Sequence, residues 1–274
     1  MNLGLGVSIG SQSGDTTVVQ KGLPPSFSNT KSISFDGVND KASFANNQVL
    51  PELIGAGDFS ISWWSKAPSF SPPGNGYKST LFYSLYFAGN FRTFVIGAIG
   101  DSGNSSHAGK FYSQVANGST NYLTVTSSNA ITSELTNNDW NHFVFTSSAG
   151  ASSRTHTLYV NNTAITLTSV SNAVDFSDFG GVAADFGDIA LGATTFNAGS
   201  DSYENIETDE LVVTNNVLSS SDVSDIYNSG VPKDESKRSG LIGYWRFEDN
   251  GDDSSSNSNA LTITGATFTD DVPS

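Results

Sequence analysis

Short stretches in which hydrophobic and polar residues alternate recur along this chain. Ile33 and Phe35 alternate with serines, and so do Phe59, Ile61 and Trp63. A period of two residues is typical of a β-strand that has one buried face. Similar alternations or short apolar runs are found at 41–44, 81–88, 91–96, 109–115, 122–126, 140–146, 155–160, 163–168, 241–247, 261–264 and 266–268. The pattern predicts an all-β protein made of many short strands.

Turn-forming residues predict how some of these strands are connected. The stretch Gly37–Asp40 separates the first two strands, and Asn161-Asn162, a pair that tolerates positive φ, separates two later ones. Both pairs of strands are therefore predicted to be β-hairpins. Segments 67–80 and 97–109 are interrupted by proline or glycine, and we expect them to be loops at the rim, where binding residues are often found.

One short helix is predicted near the end of the chain. Ser219 suits the N-cap position, because its side chain can accept a hydrogen bond from the first turn. Val223, Ile226 and Tyr227 are spaced so that they cover one face of a helix. The helix is predicted from Ser219 to about Tyr227.

Two adjacent tryptophans must point to opposite faces of the same predicted strand. Trp63 continues the apolar stripe of Phe59 and Ile61, so it is expected in the core. Trp64 faces the other way. It is either covered by a loop or open as a platform for a sugar ring or a partner, because tryptophan suits sites that are half wet.

Composition and charge narrow the possible partners. The chain has 274 residues, of which 36% are hydrophobic and 14% charged, so we expect one domain with a sizeable core. The formal net charge of −15 repels phosphate backbones and anionic membranes, which argues against nucleic acid as a partner. No run of apolar residues is long enough for membrane insertion. The chain has no cysteine, so packing and strand pairing must stabilise it.

The beginning of the chain differs from the rest. Residues 1–30 contain Gly, Ser, Thr and Pro without sustained alternation, and they are predicted to be either an extended arm or a disordered leader. Residues 31–274 are predicted to form the single domain. The first ten residues lack the basic start and apolar core of a secretory signal, so synthesis in the cytoplasm without export is expected.

Six short motifs follow one another between residues 31 and 230. They are Phe35–Asp40, Phe59–Trp63, Trp140–His142, Leu158–Asn161, Ile189–Gly192 and Asp209-Glu210. Their order resembles that of the laminin-G-like family, whose fold is the two-sheet antiparallel jelly-roll sandwich of the concanavalin A type. The motif Gly243–Phe247 also resembles the family, but there it normally precedes the Phe-Asp-Gly strand. The resemblance therefore implies a circularly permuted sandwich, which costs little when the termini lie close together.

The resemblance also implies a calcium site at the rim. Proteins of this family often hold Ca²⁺ with acidic residues, which here correspond to Asp36, Asn39, Asp40 and Asp209, and oxygen ligands suit this cation. The alternative is structural: Asp36 closes its turn with its own side chain, and Asp209 simply begins a strand.

Candidate ligand-binding residues are aromatic rings and amides near the predicted rim. A glycan site needs an aromatic face together with directional hydrogen bonds. The candidates are Trp64, Tyr77, Tyr112, Tyr122, Asn75 and Asn104. Lys41 stands where the family often has an aromatic residue, so the first turn itself is not expected to bind sugar.

Catalysis is not expected. Glycosidases of the same superfamily space acidic residues along one strand, and Glu207, Asp209 and Glu210 suggest this arrangement. The third acidic position, however, is occupied by Leu211, or by Val212 if a bulge intervenes. No cysteine, no Gly-x-Ser-x-Gly motif and only three scattered histidines are present, so neither a nucleophilic triad nor a zinc site is supported.

The resulting hypothesis is a non-enzymatic, lectin-like protein of a virion surface. The Gly-rich start and acidic tail resemble laminin-G-like structural proteins of tailed, especially marine, phages. As a capsid decoration or fibre component, the protein would contact host glycans or neighbouring virion subunits through many weak sites, and it could self-associate. A purely architectural virion protein is the alternative, and a glycoside hydrolase is a third hypothesis.

Overall fold

The computed structural model describes residues 27–44, 57–70, 76–86, 92–117, 122–148, 154–172, 189–196 and 202–274. Most of the predicted arm, residues 1–26, therefore lies outside the described residues. Within the described ranges the chain forms strands and one α-helix, α1 (Ser220–Tyr227), which is followed by a 3-10 turn at Asn228–Gly230. The strands are β1 (Ser32–Asp36), β2 (Lys41–Phe44), β3 (Phe59–Lys66), β4 (Tyr77–Tyr86), β5 (Arg92–Gly100), β6 (Phe111–Asn117), β7 (Tyr122–Ser127), β8 (Asn141–Ser148), β9 (Thr155–Val160), β10 (Thr163–Ile165), β11 (Leu167–Asn172), β12 (Ala190–Leu191), β13 (Ala193–Phe196), β14 (Ser202–Tyr203), β15 (Asn205–Thr214), β16 (Leu241–Trp245), β17 (Leu261–Thr264) and β18 (Thr267–Thr269).

Two large sheets form the sandwich. The first sheet has the order β10-β9-β8-β3-β15-β1-β18, with β16 also paired to β15, and the second has the order β11-β7-β6-β5-β4-β13-β14. A small third sheet, β12-β2-β17, lies beside them. Among the described ladders only β13–β4 is parallel. The fold is thus the predicted antiparallel jelly-roll sandwich with one short helix.

The C-terminal segment belongs to the same sandwich as the first strand. In β16, Trp245 lies opposite Leu211 of β15, and in β18, Phe268 lies opposite Ile33 of β1. The Trp245 ring is fully buried, 5.4 Å from the Phe44 ring in an edge-to-face contact. Residues 241–269 therefore contribute strands to the same sheet as the first strand.

Aromatic side chains fill the space between the sheets. Trp63 is fully buried and stacks on Phe143, with centroids 5.1 Å apart and ring planes within 8° of parallel. The predicted core stripe of Phe59, Ile61 and Trp63 is confirmed, since all three are 0% exposed. Burial of such side chains contributes roughly 1.5–3 kcal/mol each.

The first predicted hairpin is wrong. β1 pairs with β15 and β18, whereas β2 pairs with β12 and β17 in the small sheet. The turn at Gly37–Asp40 instead carries the chain from one sheet to another. Side chains replace the missing ladder: Val38 N donates to Asp36 Oδ1 (2.7 Å), and Asp36 N donates to Asp40 Oδ2 (2.9 Å).

The second hairpin and the helix agree with their predictions. β9 and β10 pair across Asn161 and Asn162, whose φ angles are 47° and 64°. In α1 the Ser219 side chain and Asp222 form a capping box. Because Val223 and Ile226 pack against the outer face of the first sheet, the helix covers that face. α1 is far too short and polar to cross a bilayer, and no other helix in the described residues could do so.

Replacing Gly243 with alanine should destabilise the whole domain. A Cβ at this position would lie 2.2 Å from Cη2 of Trp245, whose ring is locked in the core. Overpacking of this kind costs about 1–3 kcal/mol. The free energy of unfolding from denaturant titration measures the effect.

Gly57→Ala is the matched control, because a Cβ there meets nothing within 4 Å. We expect it to change the stability by less than about 1 kcal/mol. Equal stabilities of Gly243→Ala and the parent would show that Trp245 does not pack in the core as described.

Candidate functional site

A cleft of about 290 Å³ opens on the outer face of the first sheet, beside the C-terminal end of α1. Segments that are far apart in sequence converge on it: β3, the residues before β8, the β9–β10 turn and the end of α1. The lining residues are Trp64, Thr136, Asp139, Trp140, Asn161, Tyr227, Gly230 and Ser274.

Trp64 forms the floor of this cleft. Only 4% of the residue is exposed, because its ring is covered by Tyr227 (centroids 5.9 Å apart, ring planes within 16°) and contacts His142 (4.7 Å). Of the two alternatives for Trp64, the covered one holds, although the cover is the last residue of α1 rather than a loop. The ring that reaches the cleft from this side is therefore Tyr227, which is half-buried.

Trp140 forms the opposite part of the lining and is held in place by polar contacts. Its Nε1 donates to Asp271 Oδ1 (3.0 Å), and its backbone N donates to Asp139 Oδ1 (2.8 Å). Asp271 also pairs with Lys66. Burial opposes ionisation of Asp271, but the hydrogen bonds from Lys66 and Trp140 outweigh it and lower the pKa of that carboxyl. The half-buried Trp140 ring is thus oriented before any ligand arrives.

Polar groups at the cleft differ in their availability. The Asn161 amide is already used, since its Oδ1 accepts from His142 N (2.9 Å) and its Nδ2 donates to Glu134 O (3.2 Å). Within the described part of the chain, the hydroxyls of Thr136 and Tyr227 have no hydrogen-bond partner. These two hydroxyls and the exposed Asp139 carboxylate can therefore bind a ligand.

His142 lies beside Trp64 on the neighbouring strand β8, and the geometry indicates no chemical role for it. Its Nε2 lies 2.8 Å from Ser62 Oγ, while its Nδ1 has no partner. Burial lowers the pKa of His142 to about 3, so the ring is neutral under ordinary conditions. His142 is thus a buried strand histidine with one of its two ring nitrogens hydrogen-bonded.

Three of the predicted ligand residues meet elsewhere, on the outer face of the second sheet. The rings of Tyr77 and Tyr112 are 4.5 Å apart, and Tyr77 Oη lies 2.8 Å from His107 Nδ1. Asn104 Oδ1 accepts from His107 N (2.9 Å). Tyr112 is only 7% exposed, so most of this cluster is packed.

The other predicted ligand residues do not join this cluster. Tyr122 lies in β7 opposite Ala116, four residues along β6 from Tyr112, which is about 13 Å at strand spacing. Tyr77 begins β4 and does not lie in the predicted loop 67–80, whereas Tyr112 and Tyr122 lie in strands where strands are predicted. The predicted loop 97–109 begins later than expected, because β5 continues to Gly100, with a register shift between Val95 and Ala98 and a φ of 79° at Gly97. Asn75 lies outside the described residues.

The predicted calcium ligands do not form one site. Asp36 lies opposite Asn205, and Asp209 is four residues further along β15, about 13 Å away at strand spacing. Asp36 and Asp40 accept hydrogen bonds from their own turn, which is the structural alternative, and Asn39 is exposed. In the described residues no group of three or more His, Asp or Glu side chains is placed to hold a metal ion. The residues therefore do not fit the calcium site that the resemblance implied.

Asp209 and Glu210 are buried side by side at a β-bulge in β15. The register with β3 shifts between Asp209 and Val212, and Glu210 has a φ of 45°. Asp209 lies opposite Trp64 and accepts from Asn29 Nδ2 (2.8 Å), whereas Glu210 accepts from Tyr244 Oη and Arg246 Nε. Both carboxyls thus face the outer side of the sheet and are bonded to the protein's own groups.

Residues 27–30 lie over this pair of carboxyls. Arg246 donates to Ser28 O and its guanidinium lies 4.7 Å from the centre of the Phe27 ring. Thr30 donates to Glu248 through its backbone N (2.8 Å) and its hydroxyl (2.5 Å). Because this segment and its partners exclude solvent, the two acids do not flank an open space as a glycosidase pair must.

Burial makes these carboxyls hard to ionise. It raises the pKa of Glu210 to about 8, against the opposing effects of Tyr244 and Arg246. Burial and the neighbouring Glu210 also raise the pKa of Asp209 well above its usual range. The pair therefore holds protons at a pH where the unfolded chain has lost them.

The domain should lose stability as the pH rises from about 6.5 to 8. Over this range the folded state binds more protons than the unfolded chain, so unfolding becomes easier as the pH rises, by about 2 kcal/mol for a single group such as Glu210. His142 and His156, whose pKa values are lowered by burial, affect stability mainly below this range. Glu210→Gln should flatten the pH profile of the unfolding free energy, and an unchanged slope would contradict the assignment.

A scan of the sequence against family models gives no match, and a search of curated proteins gives none either. Among solved structures, the fold is similar to a proposed carbohydrate-binding protein from Bacteroides ovatus ATCC 8483, with 15% sequence identity and a TM-score of 0.51. The match covers 90% of this chain and 62% of that protein, so the chain spans less than two thirds of its length.

Two further structures are more distant. The sialidase CBM40 domain of Ruminococcus gnavus, bound to α2,3-sialyllactose, is 14% identical with a TM-score of 0.47, and the match covers 73% of this chain and 99% of that one. The SAP-like pentraxin of Limulus polyphemus is 10% identical with a TM-score of 0.45, covering 88% of this chain and 94% of that one. At these identities the similarity concerns the jelly-roll fold.

Proposed function

We propose that this chain is a non-enzymatic carbohydrate-binding module whose site is the cleft between Trp140 and Tyr227. The observation that supports the proposal is the convergence of half-buried aromatic rings with hydroxyl and carboxylate groups that have capacity left for a ligand. The volume of about 290 Å³ is at the lower end for small-molecule sites, so the cleft has room for about one or two sugar rings.

The chemistry of a sugar matches this lining. One face of a pyranose ring presents C–H groups, which pack on aromatic side chains, and its edge presents hydroxyls that both donate and accept hydrogen bonds. Trp140 and Tyr227 supply the apolar surface, while Thr136, Tyr227 and Asp139 supply polar partners. Since Asp271 already holds Trp140, little side-chain freedom is lost on binding there.

The proposal extends to the surface of a tailed-phage particle, where the chain would be a capsid decoration or fibre component. This part rests on the resemblance of the motif order and of the chain's start and tail to such proteins. Many copies on one particle would multiply weak individual contacts with host glycans or neighbouring subunits. Self-association of the chain would have the same effect.

An architectural role is the second candidate function. The observation that favours it is the attachment of residues 27–30 to Arg246, Asp209 and Glu248, which fixes the point where the preceding residues leave the sandwich. A chain fixed in this way could dock the domain on a larger assembly without binding any sugar.

Trp140→Ala should abolish most of the glycan binding. Loss of a central aromatic contact typically costs at least 2 kcal/mol of binding energy, which is about thirtyfold in affinity. A glycan array followed by titration of the best ligand measures the loss. Tyr122→Ala is the control, since Tyr122 is a half-buried aromatic residue in the other sheet, and thermal unfolding checks that both variants are folded.

The outcomes separate the candidate functions. If Trp140→Ala binds as well as the parent, the cleft is not the site. If the folded parent binds no glycan on a broad array but is incorporated into particles, the architectural role replaces the proposal. Cleavage of a polysaccharide by the parent would contradict the non-enzymatic assignment.

A further inference from the structure

We infer that the cleft selects uncharged sugars and discriminates against sugars that bear a carboxylate or sulfate group. This inference rests on the proposed function and concerns the same site. Asp139 is the charged side chain among the described residues that line the cleft, and none of these is Lys, Arg or His. An acidic sugar in this cleft would therefore meet a negative charge and no positive one.

A second carboxylate, that of Asp271, contacts Trp140 in the lining of the cleft. Asp271 Oδ1 is 3.0 Å from Nε1 of Trp140, and the pKa of Asp271 is lowered, so this group stays ionised. The nearby Lys66 does not offset the charges of both Asp139 and Asp271. It pairs with Asp271 and also with Glu207, at 3.7 Å. The surroundings of the cleft thus remain negative.

Two cations of the segment that follows α1 are engaged elsewhere. Lys233 and Arg238 both bind Asp225, and Arg238 also binds Glu235. These residues line a separate polar cavity of about 310 Å³ and not the aromatic cleft. The net charge of −15 for the whole chain adds a repulsive background for any anionic ligand.

The same carboxylate that repels acidic sugars is suited to hydroxyl groups. One oxygen of Asp139 accepts from the backbone N of Trp140, and the carboxylate has further acceptor capacity at its other oxygen. A carboxylate accepts but cannot donate, so it pairs with sugar hydroxyls and not with a sugar carboxylate. Attraction for neutral sugars and repulsion of acidic ones thus come from one side chain.

The size of the discrimination follows from screened electrostatics. Two like charges about 8 Å apart near a protein surface repel enough to lower affinity by roughly tenfold, and the effect weakens as salt is added. We therefore expect about a tenfold preference for a neutral glycan over its acidic counterpart at low salt, and a smaller preference at physiological ionic strength.

The test compares matched ligands on the parent and two variants. The probes are a galactose-terminated oligosaccharide and the same oligosaccharide capped with sialic acid, each titrated at low and at physiological salt. Asp139→Asn should reduce the preference for the neutral probe over the acidic one. The amide keeps an acceptor oxygen but has no charge, so the affinity for the acidic probe should rise. Asp252→Asn is the matched control: it changes the net charge equally at an exposed position that does not line the cleft, and it should leave the preference as in the parent.

The possible results distinguish the inference from the proposed function. Equal binding of the two probes by the parent, with binding still lost in Trp140→Ala, overturns the charge selection and leaves the proposed function in place. If Asp252→Asn reduced the preference for the neutral probe more than Asp139→Asn did, the inference would also be overturned. The discrimination would then come from the net charge and not from the cleft. If neither probe nor any other glycan binds, both are wrong.

Discussion

The β-bulge in the middle of β15 is the constraint on which the rest of this structure depends. β15 pairs with β1, β3 and β16, so it joins the beginning, the middle and the end of the chain in one sheet. The bulge keeps Leu211 in the core while Asp209 and Glu210 both face the outer side, where they are buried. Burying two adjacent carboxyls is costly unless their hydrogen bonds are satisfied. Asn29, Tyr244 and Arg246 provide these bonds.

These bonds couple the site to the fold. Asp209 lies opposite Trp64 in the ladder between β15 and β3, so the strand that contains the bulge also positions the floor of the cleft. Tyr244, which donates to Glu210, packs with Val223 and Ile226 of α1. The helix in turn places Tyr227 over Trp64. The geometry of the proposed sugar site is therefore set by contacts in the first sheet rather than by the loops that surround it.

Part of the site could be found in the sequence and part could not. The alternation around Trp63 and Trp64 showed that one ring is buried in the core and the other faces outward, because strand geometry is local. The helix pattern predicts only that Tyr227 shares a face with Val223 and Ile226, and Trp140 stands out in the sequence only as part of a motif. Nothing in a pattern of strands indicates that residues 64, 140 and 227 meet. The predicted calcium ligands do not meet for the same reason, since the register of β1 with β15 separates Asp209 from the turn at Asp36.

By itself, the sequence determined the elements whose causes are local: the two-residue alternation of the strands, the capping box of α1 and the positive-φ turn at Asn161-Asn162. It also determined the all-β class and the acidic surface. Only the tertiary structure decided that β1 and β2 enter different sheets and that the cleft forms. The physical reason is that backbone hydrogen bonding accepts almost any partner strand, so pairing is chosen by how the buried faces of the whole chain pack together.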